Sequence, residues 1–304
     1  MTVQQFRRSA AKSIPLSPSP VLDVDVLLCF FLRCTKTYLL LHYDDEIPAD
    51  VLPSLENAVE KRRQGLPVAY ITGHKEFYGY DFVVSPSVLI PKPDTEILVG
   101  RAVDYITDRI VSRPSSVLTV CDMCTGSGCI ALSVLKSLID EPAIPRGLIP
   151  SFTLSDISGD ALSVARENAR ILIPAEYQSH VRFVRSNLFE EIPFSFSVVL
   201  TNPPYVPGRA AAELLKDGRG EPLLALDGDI RADGSPDDSC DGLSVIRRLL
   251  PACAEHLSPG GMLLMETGEY NAEKAAALAA ENGLRDVQIL RDLENQLRVV
   301  ECFR

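Results

Sequence analysis

Val117-Leu118-Thr119-Val120-Cys121-Asp122-Met123-Cys124-Thr125-Gly126-Ser127-Gly128 is the stretch that decides the fold of this chain. Val117 to Asp122 reads as a buried strand, and Gly126 to Leu138 begins with glycines and becomes helical. The same alternation returns downstream. Phe152 to Asp156 predicts a strand and Asp160 to Leu172 a helix, with further strands over Val181 to Arg185, Val198 to Thr201 and Met262 to Glu266. Strands alternating with helices imply right-handed crossovers and a mostly parallel, doubly wound sheet, hence an α/β fold. The end of the chain differs. Val287 to Leu290 and Arg298 to Phe303, separated by Asp292 to Gln296, predict an antiparallel pair, with Arg298 and Asp292 as an ion pair closing it.

Residues 1 to about 85 follow another pattern. Val21 to Cys34, Lys36 to Tyr43 and Ala49 to Gly65 have helical apolar spacing, and Pro67 to Val84 alternates in polarity around Gly73 and Gly79. The expectation is a small helical domain with a hairpin connector over 1–85 and a sheet domain over 86–304. Between Pro207 and Asp241 the chain is rich in Gly, Asp and Pro with little periodicity, and its acidic part, Ile230 to Cys240, is expected to be a mobile loop.

At 304 residues and 46% hydrophobic content the chain fills a sizeable core. Its longest strongly apolar run, Leu27 to Leu32, is too short to cross a bilayer, and no signal sequence opens it. Eight scattered cysteines suit reduced thiols and a cytoplasmic protein with no membrane association. A net charge of −11 disfavours stable nucleic-acid binding, which rests on Lys and Arg neutralising phosphates. The basic group Lys61, Arg62, Arg63 and Lys75 is read as a solvated helix face.

The glycine turn lies where open α/β sheets bind ligands. Gly126 and Gly128 let the backbone approach a ligand, with Cys124, Thr125 and Ser127 between and beside them, and Asp156 at the tip of the second strand is placed to accept from two ribose hydroxyls. A dinucleotide site prefers a third glycine where Ala131 stands, although Ala is tolerated there. Asp122 favours S-adenosylmethionine instead, because an acid before the glycines repels a pyrophosphate and suits an ammonium.

Asn202-Pro203-Pro204-Tyr205 closes the apolar run Phe196 to Leu200. Two prolines remove two N–H donors and fix φ, which frees carbonyls to face a ligand. Asn202 adds an acceptor and Tyr205 a flat wall, a combination that suits a planar amino group on a base or an amide. The remaining candidates point to packing. Cys121, Cys124 and Cys129 lack further metal ligands and are expected as small core residues; no metal is expected. His42, His74, His180 and His256 form no motif, and Asp94 and Glu96 either cap the helix that starts there or shape the pocket.

Taken in order, Val68 to Gly73, Glu76 to Gly79, Val88 to Glu96, the Thr-Gly-Ser-Gly turn, Asp156 to Ser158, Thr201 to Tyr205, Glu221 to Leu226, Asp241 to Leu243 and the terminal Asp292-Leu293 with Arg298 to Val300 resemble the peptide chain release factor glutamine N5-methyltransferases. The resemblance covers nearly the whole chain. It implies a seven-stranded, Rossmann-like S-adenosylmethionine-dependent methyltransferase domain behind a helical domain that helps bind the release factor. It also implies a substrate, the glutamine of the Gly-Gly-Gln loop. Cys124 to Gly128 and Asp156 would hold the cofactor, with Asn187 and Leu188 beside the adenine, and Asn202 to Tyr205 would hold the glutamine side chain.

Four features depart from the family pattern. Lys92 replaces an arginine, Cys124 replaces a glycine, Asn187 replaces an acid, and the acidic segment 230–240 has the look of an insertion. Two rival readings share the motifs. One is a ribosomal-protein glutamine methyltransferase. The other is a nucleic-acid adenine methyltransferase acting on a flipped base, against which the acidic balance counts. A nicotinamide dehydrogenase leaves Asn202 to Tyr205 without a role.

Overall fold

The computed structural model describes residues 1–113, 118–218, 220–231 and 235–304. They divide into two compact units, Met1–His74 with Leu214–Gly220, and Lys75–Glu213 with Glu221–Arg304. The division falls at His74/Lys75, so most of the hairpin expected over Pro67 to Val84 clusters with the sheet unit.

The first unit holds five helices: α1 (Val3–Ser13), α2 (Pro20–Leu32), α3 (Lys36–Leu41), α4 (Leu52–Arg63) and α5 (Val68–Thr72). Helix α1 is an addition to the sequence reading. Its start is written locally: the Thr2 hydroxyl accepts from the Gln5 backbone N–H while the Gln5 side chain accepts from the Thr2 N–H, a reciprocal capping box. Phe6 and Ala10 from α1 and Ile14 just after it pack with Val24, Leu27 and Leu28 from α2 and Leu55 from α4. The buried Asp25 carboxylate in this core is paired with Arg7.

The second unit begins with the hairpin strands β1 (His74–Phe77) and β2 (Tyr80–Val83) and the long helix α6 (Glu96–Ser112). Its main sheet contains β3 (Thr119–Met123), β4 (Ser151–Asp156), β5 (Val181–Arg185), β6 (Phe196–Thr201), β7 (Leu257–Glu266), β8 (Arg285–Arg291) and β9 (Leu297–Phe303). The spatial order is β5-β4-β3-β6-β7-β9-β8. Strands β5 to β7 pair in parallel, and β9 enters antiparallel between β7 and β8. The seven-stranded sheet and its terminal antiparallel pair agree with the sequence reading. Val117, expected to open β3, lies outside the described residues.

Helices cover both faces, as a sheet apolar on both sides requires. On one face α6, α7 (Cys129–Asp140) and α8 (Gly159–Leu172) pack on Val120, Leu154, Val198 and Leu264. On the other, α10 (Ser244–His256) and α11 (Ala272–Glu281) pack on Cys121, Val199, Leu263 and Val300. The region after Pro207 is less irregular than expected, because α9 (Gly208–Leu214) forms there. The described residues of 230–240 are also tied down: Ile230 bridges to Pro236, Arg231 pairs with Asp237 and Asp238, and the Asp237 N–H donates to the Asp229 carbonyl. Residues 232–234 of that segment lie outside the described residues. Among the described residues, no helix is long and apolar enough to cross a membrane.

Candidate active site

The sheet order reverses at β3, which pairs with β4 on one side and β6 on the other, and this is where an open α/β sheet forms a crevice at its carboxyl edge. A cavity of about 450 Å³ opens there, within the size range of small-molecule sites. Its lining includes Cys124, Thr125, Gly126, Ser127, Asp156, Asn187, Leu188, Asn202 and Pro204. These candidates come from the ends of β3, β4, β5 and β6, so segments distant in sequence meet in one site.

The glycine turn is held by carboxylates. Asp156 accepts from the Gly126 N–H at 2.9 Å through one oxygen and from the Ser158 N–H at 2.9 Å through the other. Each oxygen retains a further lone pair, and Asp156 lines the cavity, so it offers the pair of acceptors that the two hydroxyls of a ribose could donate to. Burial raises its pKa, against the pull of those backbone donors. Gly128, the N-cap of α7, has φ +80°, and a Cβ there would come within 3.0 Å of Leu132. The glycine is needed for both reasons.

Asp122, expected to face an ammonium, does not line the cavity. It is fully buried beneath the turn, where Oδ2 accepts from the Thr125 hydroxyl at 2.6 Å and the Ala131 N–H at 3.2 Å. Removal from water pushes its pKa up to about 7. Its place is that of a brace joining the turn to the first turn of α7. Cys124 and Leu188, both on the cavity wall, have φ of +61° and +51°. This left-handed backbone is unfavourable for side chains with a Cβ, and it accounts for glycine being the more comfortable residue at position 124.

Asn187 donates from Nδ2 to Glu190 at 2.8 Å, which leaves its carbonyl oxygen as an acceptor. Asn202 is arranged in the same way. Its Nδ2 donates to the Thr95 hydroxyl at 3.4 Å, so Oδ1 is the uncommitted end. Pro203 is buried and Pro204 lines the cavity. Tyr205, expected to wall the site, is not among the lining residues: its hydroxyl donates to Glu266 Oε1 at 3.2 Å, and its carbonyl accepts from Asn271 Nδ2 at 3.0 Å and the Tyr270 hydroxyl at 3.2 Å.

Lys92 pairs with the buried Glu221 at 2.7 Å, so the substituted cation has its own counter-charge at the rim. Asp94 and Glu96 do not cap α6. Asp94 pairs with Arg298 at 3.1 Å, and Glu96 accepts from the Tyr78 N–H at 3.0 Å. Arg298 also pairs with Asp292 at 2.9 Å, as the sequence suggested. Cys121 and Cys253 are buried in the core, and among the described residues no cluster of ligands suits a metal ion. Thr95 and Glu266 are site neighbours that the sequence reading passed over. Glu266 had the same signal as Asp156, an acid at the carboxyl end of an apolar strand.

A seven-stranded sheet with a reversed strand near its end, a glycine turn and an acid at the tip of the next strand lining the same cavity define the chain as an S-adenosylmethionine-dependent methyltransferase. The PrmC N-terminal domain family matches residues 5–73 and the methyltransferase small domain family matches residues 101–221. The release factor glutamine methyltransferase of Koribacter versatilis is 36% identical over 305 residues, covering 99% of this chain and 98% of the relative. That of Moorella thermoacetica is 34% identical over 311 residues, covering 100% and 99%. That of Neisseria gonorrhoeae is 34% identical over 287 residues, covering 93% of each. The chain belongs to the release factor glutamine methyltransferase family.

Proposed function

We propose that this chain methylates the side-chain nitrogen, N5, of the glutamine in the Gly-Gly-Gln loop of peptide chain release factors. The observation that carries this reading is the orientation of Asn202, whose NH₂ end is taken by Thr95 and whose oxygen is left to accept. A nitrogen of an amide is a weak nucleophile because its lone pair is delocalised into the carbonyl. Asn202 Oδ1 and the Pro203 carbonyl accept its two N–H bonds, fix its direction, and meet the positive charge that builds on nitrogen.

Asp156 holds the ribose hydroxyls, Asn187 Oδ1 accepts from the adenine amino group, and Cys124 to Ser127 with Leu188 form the wall beside them. Asp122 and Gly128 hold that wall in shape from beneath. When bound, S-adenosylmethionine supplies an electrophilic methyl group on a sulfonium sulfur. The proton released after transfer passes to water or a carbonyl, so the site needs no strong base.

The helical domain over 1–85 recognises the release factor, the sheet domain over 86–304 carries the chemistry, and the enzyme acts in the cytoplasm without a stable nucleic-acid partner. The test mixes the protein with labelled S-adenosylmethionine and a release factor, with and without the loop glutamine changed to alanine. Label is expected only in the unaltered factor, and equal labelling of both removes the proposed target. Label in a ribosomal protein or in nucleic acid favours a rival. Asn202→Ala is expected to lower turnover by on the order of 10²-fold or more with S-adenosylhomocysteine affinity retained.

A further inference from the structure

Tyr205 is gripped at both ends by one short stretch of chain, from Glu266 at the end of β7 to Asn271. Its hydroxyl donates to Glu266 Oε1 at 3.2 Å, and its carbonyl accepts from Asn271 Nδ2 at 3.0 Å and from the Tyr270 hydroxyl at 3.2 Å. A carbonyl oxygen has two lone pairs, so both are taken and none is left for a ligand. A Cβ at Gly242 would collide with the same oxygen, which closes another side of it. Asn271 is 2% exposed and stands at the N-cap of α11, where an asparagine oxygen ordinarily accepts from the first N–H groups of the helix. Here it makes no such bond, and Oδ1 is buried without a partner.

We propose that Asn271 is a positioning residue for the methyl-accepting amide: by holding the Tyr205 carbonyl it fixes the direction in which the Asn-Pro-Pro-Tyr turn presents Asn202 Oδ1 and the Pro203 carbonyl. The proposal rests on the reading of that turn as the acceptor of the substrate amide. A carbonyl only accepts, so the NH₂ end of Asn271 has to face Tyr205, which leaves Oδ1 as the end without a partner. Prolines at 203 and 204 have fixed φ, so little rotation remains between the anchored carbonyl of Tyr205 and the oxygens that begin the turn. The Tyr270 hydroxyl already satisfies the Tyr205 carbonyl, while the orphaned Oδ1 costs at least as much stability as the bond from Nδ2 contributes. Asn271 therefore does little for the fold, and its place is explained by the turn that it aims.

Asn271→Leu keeps the shape of the side chain and removes both the donor and the orphaned oxygen. Its thermal midpoint is expected to stay within about 2 °C of that of the unaltered protein or to rise. S-adenosylhomocysteine affinity in calorimetry is expected to be unchanged. With a release factor as substrate, kcat is expected to fall by on the order of 10-fold, one hydrogen bond's worth, at an unchanged KM, because only the placing of the reacting amide is lost. A residue that served packing alone would leave kcat unmoved by this exchange. Tyr270→Phe keeps the ring against Gly268 and is expected to lower kcat less, since the buried donor remains. The double variant leaves the Tyr205 carbonyl bare and is expected to lose more than the product of the two single losses, because each single variant still leaves that carbonyl one donor.

An unaltered kcat in Asn271→Leu, while Asn202→Ala is inactive, overturns the positioning role and leaves the acceptor role of Asn202 standing. A fall in kcat accompanied by lost S-adenosylhomocysteine affinity, or by a midpoint lowered by more than about 5 °C, makes Asn271 a packing residue and overturns it as well. So does a loss in the double variant no larger than the product of the singles. Near-normal turnover of Asn202→Ala alone overturns the reading on which it rests.

Discussion

The two turns that build the site are held in opposite ways. The turn from Cys124 to Gly128 is secured mostly by its own neighbourhood: the Thr125 hydroxyl and Ala131 N–H donate to Asp122, Gly126 N–H donates to Asp156, and left-handed backbone recurs at 124, 126 and 128. The turn from Asn202 to Tyr205 is secured by side chains remote in sequence, with Thr95 before it and Glu266, Tyr270 and Asn271 after it. A cofactor cradle must bring backbone close to a ligand, and backbone conformation is largely a local matter. In the function proposed above Asn202 is an amide acceptor and has to be aimed, and the groups that hold its turn come from distant elements.

That contrast yields predictions that separate the turns. The largest effect is expected at Asp156→Ala, which removes both the ribose acceptor and the anchor of the Gly126 N–H. S-adenosylhomocysteine affinity is expected to fall by on the order of 10²-fold or more in calorimetry. Unchanged affinity would shift cofactor recognition to the Asn202 side. Next comes Gly128→Ala, where a Cβ meets Leu132 at 3.0 Å and both Ala165 and Leu154 at 3.3 Å on a backbone of φ +80°. A loss of about 2 kcal/mol in denaturant unfolding is expected.

A third prediction concerns pH. Asp122 moves from 3.8 to about 7 on burial, so the folded chain keeps a proton that the unfolded chain releases. That contribution to stability is full below about pH 4 and is lost as pH rises through about 7. Asp122→Asn does not titrate. The thermal midpoint of the ligand-free unaltered protein should therefore decline between about pH 5 and 8 relative to this variant, and parallel curves would contradict the burial of the acid. The smallest effect is expected for Cys124→Gly. Relief of left-handed strain, about 1 kcal/mol, opposes the loss of a small side chain, so the midpoint should move little. Cys124→Val should lower it clearly, because a β-branched residue tolerates φ +61° poorly.

Much of the sheet was legible because its strands are short apolar runs punctuated by glycine, proline or acids. Helix α1 escaped although Thr2 and Gln5 spell out its cap, and α9 escaped because Gly208 and Arg209 mask a short alanine run. In the site, Asp156 and Asn202 were found at the ends of their strands. Asp122 was expected to face an ammonium and lies buried beneath the turn instead of lining the cavity, since spacing alone does not say whether an acid beside a turn points up into a crevice or down into the core. Tyr205 was read as a wall for the same reason, whereas its hydroxyl is drawn to Glu266.

The sequence by itself determined the α/β alternation, the glycine turn, the acid at the end of the second sheet strand and the Asn-Pro-Pro-Tyr turn, because each depends on backbone preferences and strand ends within a few residues. Tertiary structure alone decided that β9 enters between β7 and β8, that Asp122 lies buried beneath the turn, and that Asn202 meets Thr95 while Tyr205 meets Glu266. Those outcomes depend on packing that local preference does not record, and the widest of the meetings, Asn202 with Thr95, spans a separation of 107 residues. Local preference carries no information about such meetings; the packing of the sheet and its helices supplies it.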